Sequence, residues 1–424
     1  MSEFINNTEK RIDALYAFTK GIINKEKGSL LVKKHQEAID NVQAFDVVTI
    51  VDRLMDEGVE LPELKTGINK TLNMFYSALI AKAIPDYSTI PFLKSMADEN
   101  AELNHRLIAL RPDIKEINGK HIGETEKNLA LKSIRNKVTE LSEFEVHYIK
   151  KENIFFPYVE KNLKEYRCLP LMWSYHDDIR SFTKEIVSMI DSGDIDMKRL
   201  NRLIGDLFFT MYAIRFREEY ILFPVVFDLI PETDWAEMME QSFEEGFAFI
   251  DTPEKIKKQA SPTPGKLSRT SKKIFGNNPP LPLPGGDELA DALLDFETGL
   301  VTIEQAIMML NHLPVDMTLV DENDEVRYFS TPGHRIFPRS KAIIGRKVEN
   351  CHPPSSVHIV TELLDEFKAG NKDKESFWIQ MGKKFILIQY FALRDENGVY
   401  KGTLEVSQDV SEIRSLTGEK RLME

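Results

Sequence analysis

Cysteine is scarce in this chain of 424 residues, which has two, Cys168 and Cys351, far apart. That excludes a disulfide framework and points to a reducing compartment. Long hydrophobic runs are also lacking. No stretch approaches the roughly 18 consecutive apolar residues of a spanning helix. The opening MSEFINNTEKRIDALY carries no apolar run of the signal-peptide kind. A cytoplasmic protein with no membrane contact is the expectation. Positive charge is in deficit, with 55 Lys and Arg against 68 Asp and Glu, for a net charge of -13. The basic footprint of a nucleic-acid binder is missing.

What is present divides the chain. Its length predicts two or three domains. Residues 8 to about 84 read as helices, with Phe45–Met55 and a helix from Pro62 through Phe75 as the clearest stripes. Four longer helices follow, at roughly 92–110, 124–163, 170–190 and 196–230, and a shorter one runs from Trp235 to Phe247. Short connections favour packing them as a four-helix bundle. Residues 251–285 are rich in Pro, Gly, Ser and Lys and read as a linker, a solvated tether with a local basic excess. Beyond it the period changes. Helices at Glu288–Phe296 and Ile303–Leu310 precede strands at Met317–Val320, Val326–Ser330, Ser376–Met381, Phe385–Leu393 and Tyr400–Ser407. Asp321–Asp324 and Asn397-Gly398 supply turns, and short helices fall between the second and third strands. This makes a small α+β domain with an antiparallel sheet.

Two stretches echo each other. His147-Tyr-Ile-Lys-Lys-Glu-Asn-Ile-Phe-Phe-Pro157 and Ile214-Arg-Phe-Arg-Glu-Glu-Tyr-Ile-Leu-Phe-Pro224 each set ionisable residues on a helix that closes with an apolar residue, Phe and Pro. The segment 86–250 that contains them resembles the hemerythrin-like (HHE cation-binding) four-helix bundle. In that family each half offers a His from one helix and a His-x-x-x-Glu pair from the next. Residues four apart lie one turn apart and reach the same interior point, and imidazole with carboxylate suits iron. The echo carries this pattern in part. His147 is present, but Lys151 stands four residues on, with Glu152 one step further. Glu218 is present, but Ile214 stands at the histidine position. His176 lies on the inward stripe of the third helix, while on the first helix Asn100 is inward and His105 points away. The candidate metal set is His147, Glu152, His176, Glu218 and Glu219. A continuous α-helical period would turn Glu145 and Glu152 inward and leave His147 at the edge, with a metal, His176 or Arg180 as partner for a buried carboxylate. A single non-haem iron or another divalent ion is one expectation; a bundle without metal, keeping a polar core network, is the other. Haem on His147 or His176 has no specific motif.

The last 140 residues or so, 286–424, resemble a PAS sensor domain. Leu313–Ser330, Ile344-Gly-Arg346 and the ending Gly402-Thr-Leu-Glu-Val-Ser-Gln-Asp-Val-Ser411 carry the resemblance. It implies a pocket for haem or a small molecule between sheet and helices, and a signalling helix at Ser411–Met423. In Asn350-Cys-His-Pro-Pro-Ser-Ser-Val-His358, the residues Cys351, His352 and His358 are the candidate ligands. Helix capping from Ser355 or Ser356 beside a hydrogen-bonded histidine is the plainer alternative. End to end, the chain resembles a bacterial family that fuses a helical domain of unknown function 438 (here 1–85), a hemerythrin-like bundle and a PAS domain; Glu63–Tyr76 and Val348-Glu-Asn-Cys-His-Pro-Pro354 carry that match. The fold expected is therefore multidomain, all-α and then α+β. The function expected is a cytosolic sensor acting as a homodimer through an unidentified downstream signalling protein, since no kinase, cyclase or DNA-binding region follows. A metal-dependent enzyme handling oxygen, peroxide or nitric oxide, and a cofactor-free binding module, are the alternatives.

Overall fold

The computed structural model describes residues 2–119, 122–163, 168–254, 293–296, 298–333 and 335–419. The chain divides into two compact units. The first is Met1–Pro253 with Ser340–Ile343 and Asn350–His358; the second is Glu254–Arg339, Ile344–Glu349 and Ile359–Glu424.

In the first unit four helices come before the bundle region: α1 (Ser2–Ile23), α2 (Gly28–Asp40), α3 (Ala44–Asp56) and α4 (Leu61–Ile80). Pro62 sits in the first turn of α4, where no helical N–H is lost. Gly67 lets α4 approach α1, because a Cβ there would overlap the Ile23 side chain. The longer helices are α5 (Pro91–Ile117), α6 (Glu124–Leu141), α7 (Glu145–Lys150), α8 (Phe156–Asn162), α9 (Leu169–Ser192), α10 (Met197–Arg217) and α11 (Phe223–Phe227). α5 packs on α6, α6 on α9, α9 on α10 and α10 on α5, which closes a ring of four. α12 (Glu232–Glu245) packs against α5. The expected helix end near residue 110 is passed: α5 runs through Pro112 to the buried Ile117. One hydrophobic cluster runs from Leu15 to Ala248 and takes in all of these helices.

The two echoing stretches share a backbone device. Lys151–Phe155 and Glu218–Leu222 are π-helical turns, each followed at once by Phe-Pro opening α8 and α11. Proline has no N–H and its ring crowds the carbonyl four residues back, so a widened turn upstream of Pro157 and Pro224 relieves both problems. A 3-10 turn, Ser142–Phe144, also joins α6 to α7. Three residues at three per turn over-rotate the helix by about 60° relative to an α-helix. This corrects the uniform-period reading of helix two. His147 is fully buried, not at the edge, and Glu145 stays 37% exposed at the side chain.

In the second unit a hairpin of β1 (Leu293–Asp295) and β2 (Leu300–Thr302) precedes α13 (Ile303–His312). Leu293–Asp295 is thus strand where a helix at Glu288–Phe296 was expected; the rest of that helix through residue 292, and the linker from residue 255 onward, lie outside the described residues. Five strands, β3 (Asp316–Asp321), β4 (Val326–Phe329), β5 (Lys374–Met381), β6 (Lys384–Arg394) and β7 (Tyr400–Asp409), form one antiparallel sheet in the order β4-β3-β7-β6-β5. α14 (Pro354–Lys368), which belongs to this unit from Ile359 onward, supplies Leu363, Leu364 and Phe367 to the buried set. Asp321 and Asp395 cap the two hairpin turns by accepting from backbone N–H groups of Asn323 and Glu325, and of Asn397 and Val399. Gly402, at φ +144°, lets β7 close on β3, since a Cβ would overlap the Val320 carbonyl. α15 is short, Ser411–Ser415, and residues 416–419 are not helical, so the expected helix to Met423 is cut back; its last residues lie outside the described ones.

Candidate functional site

Turning His147 inward places its ring between two carboxylates. Nδ1 lies 2.6 Å from Glu99 Oε2 and Nε2 lies 3.0 Å from Glu218 Oε2. Each ring nitrogen thus has a carboxylate oxygen within hydrogen-bond distance. The ring stacks on Phe144 at 4.4 Å between centroids. Lys150 ion-pairs with Glu99, and Lys151 ion-pairs with Glu218. Asn100 Nδ2 donates to Glu218 Oε2 at 2.8 Å, and the Ala248 N–H donates to Glu99 Oε1 at 2.8 Å. Glu99, His147, Lys150, Lys151 and Glu218 are all buried.

The electrostatics follow from that geometry. Burial opposes the charged form of Glu218, but Lys151 and His147 outweigh it and hold its pKa down at about 2. Burial opposes ionisation of Glu99 too, and His147 and Lys150 again outweigh it, so its pKa is lowered. Burial pulls the pKa of both lysines down, against the pull of their carboxylate partners.

A second pair lies beside the first. His176 Nδ1 is 2.6 Å from Glu152 Oε1, and Arg180 Nη2 donates to both oxygens of Glu152 at 3.0 and 3.1 Å. Arg180 also binds Glu145 at 2.8 Å. Burial raises the pKa of Glu152 to about 7 in spite of Arg180. Burial, with Lys151, Arg180 and His147 nearby, drives His176 well below its ordinary value. His176 therefore stays neutral, stacked on Tyr148 at 4.4 Å, with Nε2 buried and unpartnered. The Tyr148 hydroxyl and Asn100 Oδ1 are likewise buried without partners.

Of the five candidate ligands, the structure brings His147 to Glu218 and Glu152 to His176. Glu219 belongs to neither pair: it is held 3.1 Å from Arg215. Sequence reasoning missed Glu99 and passed over Lys150 and Lys151 as counter-ions. Glu99 was findable, because it lies three residues from Met96 and four from Leu103 on the buried stripe of α5. These residues do not fit an iron centre. The oxygens of Glu99 and Glu218 are taken by two lysines, a histidine, an amide and a backbone N–H, and the lysines already balance both carboxylates. A dication would add unmatched charge at low dielectric. Among the described residues no three His, Cys, Asp or Glu side chains group as a metal set.

In the second unit Asp316 is buried and accepts from the backbone N–H of Ile336 at 2.7 Å and Phe337 at 3.1 Å. Arg335 stacks 5.2 Å over Phe329 and donates to the Phe337 carbonyl at 2.7 Å; burial lowers its pKa. A family model described as PAS domain matches residues 307–411. Residues 307–411 belong to the PAS domain family. Cys351 and His352 fall inside the PAS domain as half-buried residues at the entry to α14, and His358 is exposed on that helix. Neither cysteine forms a disulfide. α14 begins at Pro354 as the sequence implied.

Among solved structures, the chain is similar to the C-terminal domain of a Streptococcus mutans protein at 32% identity, covering 30% of this chain and 99% of that one with a TM-score of 0.29. It is similar to the PAS domain of a Colwellia psychrerythraea protein at 17% identity, covering 26% of this chain and 98% of that one with a TM-score of 0.21. No curated protein matches the chain. Among the described residues no helix is long and apolar enough to cross a membrane.

Proposed function

We propose that this protein is a cytosolic sensor in which a PAS domain is joined to a hemerythrin-like helical unit whose metal site has been replaced by an internal ion network. The PAS domain at 307–411 carries the sensory part of the reading. Lys151, buried against Glu218, supports the replacement: it stands where the echo would put a carboxylate and supplies the positive charge a metal would bring. The unit then keeps its core polarity with side chains alone. Output passes to a partner signalling protein from a homodimer. A metal-dependent oxidase or peroxide enzyme needs carboxylate oxygens open to a metal and a free position beside it, and Glu99 and Glu218 offer neither.

Elemental analysis of protein purified without a histidine tag tests the replacement. Iron and zinc well below one per chain, and a melting temperature unmoved by added Fe(II), are expected; stoichiometric iron with a visible spectrum sinks it. For the sensory part, hydrogen exchange on full-length protein compares wild type with Glu218→Gln. Altered protection in β7 and Ser411–Ser415 is expected. Identical protection there would remove the link between the helical unit and the PAS domain.

A further inference from the structure

Arg217, the last residue of α10, is buried yet meets no carboxylate among the described residues. It donates from Nη2 to Asn69 Oδ1 and, at 3.1 Å, to the Tyr175 hydroxyl, and its guanidinium lies 4.5 Å over the Tyr175 ring. Its Nε is buried with no acceptor. Arginine does not escape such a place by losing its proton, so a bare guanidinium there is costly. Arg217 also lines a cavity of about 40 Å³. The other walls are mostly apolar: Val47, Val48 and Val51 from α3 and Ile68 and Leu72 from α4, with the Cys168 side chain also at the lining.

One cation in an apolar chamber selects its occupant. A neutral apolar molecule leaves Arg217 unmatched. Phosphate or sulfate brings more charge than one guanidinium balances and more acceptors than the walls have donors. Water alone would meet Nε but leave the aliphatic walls wet. We propose that this cavity binds a short-chain monocarboxylate, with its carboxylate on Arg217 and its hydrocarbon against the α3 and α4 side chains. A single water needs roughly 10–15 Å³ on this scale, so acetate or propionate fits and hexanoate does not.

The position gives binding a consequence. Arg217 directly precedes Glu218, and Ile221 and Leu222 of the same π turn also line the cavity. An occupant bears on the turn that presents Glu218 to the ion network. This names an input for the proposed sensor and rests on that reading only for its consequence; binding is read on its own.

Full-length protein is titrated with sodium acetate, propionate and hexanoate at fixed ionic strength, with sodium chloride as control, by calorimetry and thermal shift. Saturable binding of propionate, accompanied by a rise in melting temperature, is expected, with none for hexanoate. Arg217→Met should abolish that rise while leaving the unliganded melting temperature equal or higher, because it removes a bare buried charge. Val48→Phe fills the cavity, keeps Arg217 and should weaken propionate about tenfold or more; it decides the matter if Arg217→Met does not fold. No saturable binding of either short acid to wild type overturns the proposal, as does unchanged binding in the variants. Absence of binding leaves the PAS-based reading standing. Binding with no change in exchange at Ser411–Ser415 keeps the site and removes its role as the signal.

Discussion

Nε2 of His147 lies 3.0 Å from Oε2 of Glu218, and that contact joins the two halves of the sequence echo. One stretch supplies the imidazole and the other the carboxylate. Each also has a Phe-Pro directly after a π turn. The pair meets in the core with Lys151 on the far oxygen of Glu218. The two echoing stretches thus contribute to a single composite network.

The network makes a strong statement about pairs. Lys151→Met leaves Glu218 a buried carboxylate short of its main counter-ion, and Glu218→Gln leaves Lys151 unmatched. Each single change should cost about 3–5 kcal/mol, because breaking a buried pair strands a charge. The double variant should recover a large part of the summed loss, which is a coupling on the order of 2 kcal/mol or more. Urea unfolding of the four proteins measures it. Additive losses would mean the two side chains do not stabilise one another.

Two carboxylates should give pH dependences of opposite sign. The folded pKa of Glu218 is depressed from 4.5 to about 2. Its contribution is in place above about 4.5 and is lost as pH falls towards 2. The folded pKa of Glu152 is raised from 4.5 to about 7. The folded state holds that proton more tightly, so this contribution is in place below about 4.5 and is lost as pH rises through 7. The change is on the order of 3 kcal/mol at most. Glu152→Gln should flatten stability between pH 4.5 and 7 and leave the acid limb intact. Stability measured by chemical unfolding at closely spaced pH values checks both limbs; an unaltered slope between 4.5 and 7 in Glu152→Gln would remove this assignment.

The sheet was legible because alternation and turn chemistry act locally. Asn397-Gly398 and the aspartates that cap each hairpin mark strand ends without tertiary help. The long helices were legible from stripes such as Leu93, Met96, Leu103 and Leu107. The site was legible only in part, because its phase depends on two departures from the α-helix. Ser142–Phe144 moves His147 inward and Glu145 outward, Lys151–Phe155 shifts the phase again for the residues after it, and no single helical period predicts both. The lysines were misjudged for another reason. Read as failed ligands, Lys150 and Lys151 look like defects; paired with Glu99 and Glu218, they are what makes those carboxylates tolerable in the core. Residues such as Asp316 and Arg335 carry no local signal, since their partners are backbone groups of an irregular loop.

Gly402 offers a test confined to the PAS domain. Its φ of +144° suits glycine alone, and a Cβ would strike the Val320 carbonyl across the β3–β7 pair. Gly402→Ala should cost about 3 kcal/mol through strain and displaced strand pairing. Thermal unfolding should show the C-terminal transition lowered. An unchanged transition would mean the close approach of β7 to β3 is not tight in solution.

Proline substitution addresses the π turns themselves. Replacing a proline inside a helix with alanine ordinarily stabilises it, because a hydrogen bond returns and a clash goes. At Pro224 the opposite is expected. The restored N–H favours an α turn over 218–222, and closing a π turn to an α turn rotates the residues upstream relative to those downstream. Glu218 and the core residues Leu222 and Phe223 cannot all keep their places. Pro224→Ala should therefore lower the melting temperature, with a cost of about 1–3 kcal/mol in urea. The coupling between Lys151 and Glu218, measured again in that background, should shrink. A more stable Pro224→Ala protein with full coupling would show that side-chain packing alone holds the π turn, with the proline incidental to it.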